Sequence, residues 1–195
     1  ANMKSRYQDD SGQTYLMELD CWHWGRYVEN VLKYGHPGDE VIGGRQWDMF
    51  MLAPVGFFMN WEHFIFYTSA FFYKVFSVFK TAPLFTFLFY LPLLFVTVFI
   101  AALYMFSFKY AGNLGAIVTC VFVGLAPIFM PRSCVGWFDM DVLNLLFPIV
   151  IVWAYLLSIE KASRKEKVFW VAISSFVVGL FAFTWVFWWF IFVVI

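Results

Sequence analysis

Residues 83–106 read PLFTFLFYLPLLFVTVFIAALYMF and carry no charged side chain. At a rise of about 1.5 Å per residue, a helix of this length crosses an apolar layer of about 30 Å, the thickness of a bilayer core. Pro92 is the position within it where a kink is expected. Three further uncharged stretches follow at 112–130, 142–158 and 168–195, the last closing on TWVFWWFIFVVI. The pattern predicts an all-α polytopic membrane protein, with a transmembrane helix bundle of four spans over 83–195.

Composition points the same way. Of the 195 residues, 63% are hydrophobic, 24% aromatic and 13% charged, whereas soluble domains are roughly 45–50% apolar. A water-soluble fold would have to hide 27 Phe, 10 Trp and 10 Tyr beneath a surface supplied with 13 basic and 13 acidic residues, too few to cover it. The formal net charge is zero, so no bulk attraction to nucleic acid is implied, and membrane lipids are the expected surroundings. The chain opens in a polar stretch at Ala1 and stops at Ile195 inside an apolar run, without a recognisable signal peptide. It reads as a fragment of a longer protein.

Residues 1–82 differ from the rest and hold most of the acidic side chains. They are expected to form a first external loop with surface helices. CWHWGRYVENVLKYG (21–35) suits an amphipathic helix with Trp24, Val28, Val31 and Leu32 near one face. Its plainest reading is a helix lying on the membrane surface, anchored by Trp22 and Trp24. GHPGDE (35–40) and VIGGRQWD (41–48) supply turn signals. Between 50 and 80, Pro54, Asn60, Glu62, His63, Lys74 and Lys80 interrupt an aromatic sequence. Helices packed on protein are expected there, with a tilted span over 63–79 as the alternative.

Basic residues orient the array. Lys161, Arg164, Lys165 and Lys167 fall in 159–167 and Lys109 in 107–111, which places both segments in the cytoplasm. The loop 131–141, PRSCVGWFDMD, then lies outside with the polar N-terminal region. Asp139 and Asp141 in that loop suit a divalent cation, because paired carboxylates supply hard oxygen ligands. Two acidic residues flanking a membrane helix fit the same pattern. Arg132 reads either as a partner for carboxylates or a phosphate, or as an interfacial side chain snorkelling from a helix end. Asp20 precedes the surface helix on the same side.

These segments together are recognisable. LDCWHWGRYVENVLKYGH, GRQWDMFMLAPVG and PRSCVGWFDMDVLNLLFPIVIVWAY, in that order, resemble the catalytic subunit of oligosaccharyltransferase. Asp20, Trp22, Trp24, Arg26 and Asn30 match the family's first external loop, and Arg132, Gly136, Trp137, Phe138, Asp139 and Asp141 match its second. The resemblance implies a GT-C type glycosyltransferase that moves an oligosaccharide from a polyprenyl or dolichyl (pyro)phosphate to Asn in an Asn-X-Ser/Thr sequon. It implies Asp20, Arg132, Asp139 and Asp141 as catalytic residues, and Asp20, Asp139 and Asp141 around Mn²⁺ or Mg²⁺. Asp20 would also meet the acceptor amide, and the site would face outward from the plasma membrane. The partners implied are a lipid-linked oligosaccharide and an acceptor polypeptide. The family's first span, its later catalytic carboxylate and its W-W-D-containing C-terminal domain are not in this sequence, so the fragment is expected to be inactive alone.

Two other classes share parts of the pattern. Another polytopic lipid-phosphate-sugar transferase would also carry an acidic first loop, but the second loop with its upstream Arg favours oligosaccharyl transfer. A transporter would show charges inside its spans, which are uncharged here. His23, His36 and His63 read as interface or helix-end residues, Glu62 and Lys74 as surface charges, and Cys120 as a small core residue. Cys21 and Cys134 each neighbour a motif on the oxidising side, and a disulfide between them is the one bridge the sequence suggests.

Overall fold

The computed structural model describes residues 7–10, 12–59 and 64–195. Asn60, Glu62 and His63 lie outside the described residues. The chain forms two compact units: Ala1–Leu91 with Val135–Asp139, and Pro92–Cys134 with Met140–Ile195.

The first unit is built on α1, Leu19–Tyr34. Its buried residues Cys21, Gly25 and Val28 recur at i, i+4 and i+7, with Tyr27 and Val31 beside them, the spacing of one helical face. The helix stops at Gly35, whose φ of 80° is left-handed and whose N–H reaches the Val31 carbonyl, as glycine readily allows. One face of the helix is covered by protein. Tyr27 and Val28 are fully buried, because α1 packs on α2, Phe64–Phe79, through rings such as Phe66, 5.0 Å from Tyr27. At 16 residues, α2 is about 24 Å long, short of a bilayer core, and its Lys74 is exposed.

A three-stranded antiparallel sheet also stands in this unit, made of β1 Glu40–Ile42, β2 Arg45–Asp48 and β3 Phe57–Phe58. It departs from the all-helical expectation for the loop. Ile42 pairs with Arg45 across Gly43 and Gly44, whose φ values of 59° and 77° form the two-residue turn that matches the twist of a hairpin.

The second unit holds most of α3, Leu84–Gly124, together with α4 Phe129–Arg132, α5 Asp141–Glu160 and α6 Arg164–Ala182. Within α3 the backbone breaks at Gly112, with φ 67° and ψ −174°. The chain doubles back there: Tyr104 donates to the Asn113 side chain at 2.7 Å, and the Cys120 thiol meets the Ile100 carbonyl at 3.8 Å. Pro92 sits inside the first limb without breaking its helical backbone. The stretch read as 112–130 ends its helix at Gly124, and a turn through Ala126 and Pro127 leads to α4.

Along α5, Leu143, Phe147, Ile151, Ala154 and Ser158 are buried, a stripe at helical spacing against α6, where Ser174 Oγ donates to the Ile151 carbonyl at 3.1 Å. Lys109 and Tyr110 both bond Glu160 at the far end of α5, so the 107–112 turn and the 159–167 segment share one end of this unit. Outward-facing Val98, Met105, Ile117, Val118, Phe122, Phe169 and Phe176 are exposed, a surface suited to lipid rather than water.

The stretch 168–195, expected as a fourth span, is not a single helix. The helix ends at Ala182, and a 3₁₀ turn at Trp188–Phe190 precedes a short α7, Ile191–Val194. Buried Thr184 donates its hydroxyl to the Leu180 carbonyl at 2.8 Å, a local bond that competes with helix continuation. Phe190 then folds back on Phe181 and Trp185, at 5.8 and 5.9 Å.

Candidate functional site

The carboxylate motifs acquire geometry in the first unit. Glu18 stands at the N-cap position of α1, without a side-chain capping bond, and Asp20 lies in its first turn, where the helix dipole favours negative charge. Asp139 arrives from a segment more than a hundred positions away. One oxygen from each of Glu18, Asp20 and Asp139 lies within 4.8 Å of the others.

Several contacts set Asp139 there. Gly136 N–H donates to the Phe89 carbonyl at 2.7 Å, and its own carbonyl accepts from Met17 N–H at 3.1 Å. Gly136 has φ 84°, and an added Cβ would come within 2.8 Å of both Met17 and Phe89, so only glycine fits this crossing. Phe138 is fully buried, and Cys21 lies against the backbone of Glu18 and Phe138. Trp24 Nε1 donates to Asp139 Oδ1 at 3.1 Å.

Burial, with the Asp139 carboxylate nearby, pushes the Cys21 thiol up to about 12. Cys21, Cys120 and Cys134 are all free thiols. The expected Cys21–Cys134 disulfide is therefore corrected: Cys21 is wholly enclosed within the first unit, and Cys134 turns its thiol to the Pro131 carbonyl at 3.0 Å.

Arg26 and Asn30, which match the family pattern, have a supporting task. Arg26 Nη1 binds Asp39 at 2.6 and 2.5 Å, while its Nη2 binds Asp48 at 2.6 Å. Asn30 donates to Asp39 and to the Pro37 carbonyl. Asp48 is fully buried and also accepts from Tyr27 at 2.5 Å and from the backbone N–H groups of Phe50 and Met51. Burial alone would raise its carboxyl, but the Tyr27, Arg26 and Met51 donors outweigh it and hold the group at about 2. This network clamps the hairpin onto α1. His23 lies 3.5 Å from Asp48; burial pushes its imidazole below the ordinary value despite that carboxylate, with Arg26 adding to the fall. His36 stacks on Tyr34. An open groove of about 750 Å³ beside the carboxylates is lined by Asp20, Trp22, His23, Trp24, Glu29 and Phe85 among others.

Arg132 and Asp141 belong to the second unit, where Arg132 Nη1 lies 3.3 Å from Asp141 Oδ2. They border a pocket of about 390 Å³ lined largely by apolar residues, including Phe129, Leu145, Trp185 and Phe190. Glu18 was not anticipated from the sequence. Its signal was present, since Glu18-Leu19-Asp20 repeats the carboxylate-x-carboxylate spacing of Asp139-Met140-Asp141.

Among the described residues, two helices are long and apolar enough to cross a membrane, and three carboxylates of the first unit lie close enough together to share a cation. The family model described as "Oligosaccharyl transferase STT3, N-terminal" matches residues 1–195, and the chain belongs to this family. It is similar to the dolichyl-phosphooligosaccharide-protein glycotransferase of Methanococcus voltae, 25% identical over 94% of this chain and 21% of the relative. The protein of the same description from Methanocaldococcus jannaschii is 28% identical over 91% of this chain and 20% of its own length. The chain thus spans about a fifth of the length of the curated relatives it matches.

Its fold is similar to that of about a fifth of the Archaeoglobus fulgidus oligosaccharyltransferase. The structure complexed with zinc and sulfate superposes with a TM-score of 0.76 at 18% identity, covering 92% of this chain and 22% of that one. The structure of the same enzyme with an inhibitory peptide and a dolichol-phosphate gives 0.74 at 18% identity over 92% and 21%. The architecture is the polytopic GT-C type expected from the sequence.

Proposed function

We propose that this chain is the part of a membrane oligosaccharyltransferase that holds the acceptor amide and a divalent cation during N-glycosylation. The complete enzyme would transfer an oligosaccharide from a polyprenyl or dolichyl (pyro)phosphate to Asn in an Asn-X-Ser/Thr segment, and this part alone would be inactive. The observation that carries the reading is the convergence of Glu18, Asp20 and Asp139 in a chain of this family.

The donor set fits a hard cation. Three carboxylates offer oxygen atoms only, at a mutual spacing that one ion can bridge, and Mn²⁺ or Mg²⁺ suits such ligands. When bound, the ion would offset charge on the leaving phosphate. Asp20, exposed at the groove, would accept the N–H hydrogens of the acceptor amide and hold its nitrogen toward the anomeric carbon, since an amide is a poor nucleophile unless positioned. Arg132, beside the apolar pocket, would meet the carrier phosphate with its guanidinium, and its contact with Asp141 sets the orientation of both.

The basic segments 107–111 and 159–167 would face the cytoplasm. Asp139 and the first unit would then stand on the outer face of the plasma membrane, where an acceptor polypeptide meets a lipid-held sugar. Residues 1–82 would form the first external loop, and 131–141 the external D-x-D loop of the helix bundle over 83–195.

Glycosylation of an Asn-X-Thr peptide by the full-length enzyme across a Mn²⁺ titration tests the reading. Asp20→Ala and Asp139→Ala should each lower turnover about 100-fold or more, while binding of the lipid-linked sugar is kept. Wild-type turnover by Asp139→Ala would reject the site.

A further inference from the structure

Trp24 stands four residues after Asp20 on α1, so both side chains rise from the same face of the helix. Its indole is gripped on several sides, with ring centres 5.5 Å from Phe66, 5.9 Å from Tyr27 and 5.0 Å from His23. An indole N–H can only donate, and here it donates to Asp139 Oδ1 at 3.1 Å. Gly136 and Phe138 settle where the backbone runs, yet a carboxylate on a settled backbone still rotates about its last side-chain bond.

We infer that Trp24 is a positioning residue of the carboxylate cluster, its immobilised indole N–H fixing the rotation of the Asp139 carboxylate so that an oxygen faces Glu18 and Asp20. This rests on the cluster being a cation site, as proposed above. Ligand carboxylates are commonly held in this way by an outer hydrogen bond, and losing that bond typically weakens metal affinity about 10- to 100-fold. Trp24 also lines the groove beside Asp20, so the same side chain forms part of the wall along which an acceptor would approach.

The test is Mn²⁺ binding to the full-length protein in detergent, read from the electron paramagnetic resonance signal of free Mn²⁺, alongside the Michaelis constant for the lipid-linked sugar. Trp24→Phe keeps an aromatic ring and removes the donor. It should raise the Mn²⁺ dissociation constant about 10- to 100-fold, with the constant for the lipid-linked sugar unchanged. Phe66→Leu loosens the packing around the same indole while its N–H remains and should raise the Mn²⁺ dissociation constant clearly less than Trp24→Phe does. Unchanged binding in Trp24→Phe, or an equal loss in both variants, overturns the inference. If Trp24→Phe does not yield a monodisperse protein, Trp24→His, which retains an N–H donor, decides: wild-type Mn²⁺ affinity upholds the role and its loss overturns it. Asp20→Ala separates the two readings. Should it bind Mn²⁺ as the wild type does, the cation site itself fails and the inference with it, whereas wild-type binding by Trp24→Phe alone removes only the positioning role.

Discussion

Replacing Asp48 by Asn keeps the shape of the side chain and removes its charge from a fully buried position. In the native unit one carboxylate oxygen accepts from Arg26 and Tyr27, and the other accepts from the Phe50 and Met51 amides. An amide has one acceptor oxygen, so its NH₂ must point at one of these donor pairs and leave it unsatisfied. Arg26 stays paired with Asp39, which keeps the cost below that of stranding a buried charge outright. A carboxyl held at about 2 against an ordinary 3.8 corresponds to about 2 kcal/mol favouring the charged form in the fold. That is about 30-fold in a local opening equilibrium. Hydrogen exchange read by mass spectrometry over 36–51 should therefore show about 30-fold faster exchange in Asp48→Asn at neutral pH. The sign with pH follows from the lowered value. The contribution is complete above about pH 4 and disappears as pH falls toward about 2, so wild type and variant should converge there. Equal protection at neutral pH would refute the claim that this charge clamps the hairpin to α1.

Gly136→Ala should cost about 1–3 kcal/mol, because its Cβ meets Met17 and Phe89 at 2.8 Å. It should also weaken Mn²⁺ binding by displacing Asp139; normal affinity would show that the loop tolerates the shift. In the folded protein a maleimide should leave Cys21 unmodified at pH 8, since that thiol is buried and pushed up to about 12. Non-reducing peptide mapping should find no Cys21–Cys134 bridge, and either a bridge or rapid Cys21 labelling would contradict the described packing. Thr184→Val should lower the thermal unfolding midpoint by an amount equivalent to about 1 kcal/mol, and an unchanged midpoint would mean that the Leu180 bond contributes nothing. Ser163→Cys should escape an impermeant thiol reagent in intact cells, whereas external labelling would reverse the proposed orientation.

What could be read from the sequence depended on range. Uncharged length located the apolar helix that starts at Leu84, and the Val31–Gly35 ending of α1 followed from local signals, because each is decided by residues within one or two turns. Gly43-Gly44 between VI and RQW was an equally local hairpin signal, and its two consecutive positive-φ residues mark a turn that generic loop composition conceals. Hydropathy could not find the end of α6, since Thr184 interrupts an apolar run through a single hydroxyl. Nor could spacing assign Arg26 and Asn30, whose partners Asp39 and Asp48 are brought to α1 only by the folded hairpin. The family motifs supplied Asp20 and Asp139, yet Glu18 and the Trp24 bond emerged only when α1 and the 135–139 segment came together.

The enclosure of Cys21 bears on which ions could poison such a site. A thiol next to Asp20 in sequence would ordinarily offer sulfur to thiophilic ions such as Cd²⁺ or Cu⁺, which prefer it to oxygen. Here the side chain is wholly buried, while metal ligation requires a thiolate that the ion can reach. The three carboxylates therefore face an incoming ion without a soft competitor beside them. Exchange of Cys21 for Ser would leave cadmium tolerance unchanged, whereas a cysteine at the exposed Leu19 position would create the sensitivity that the native arrangement avoids.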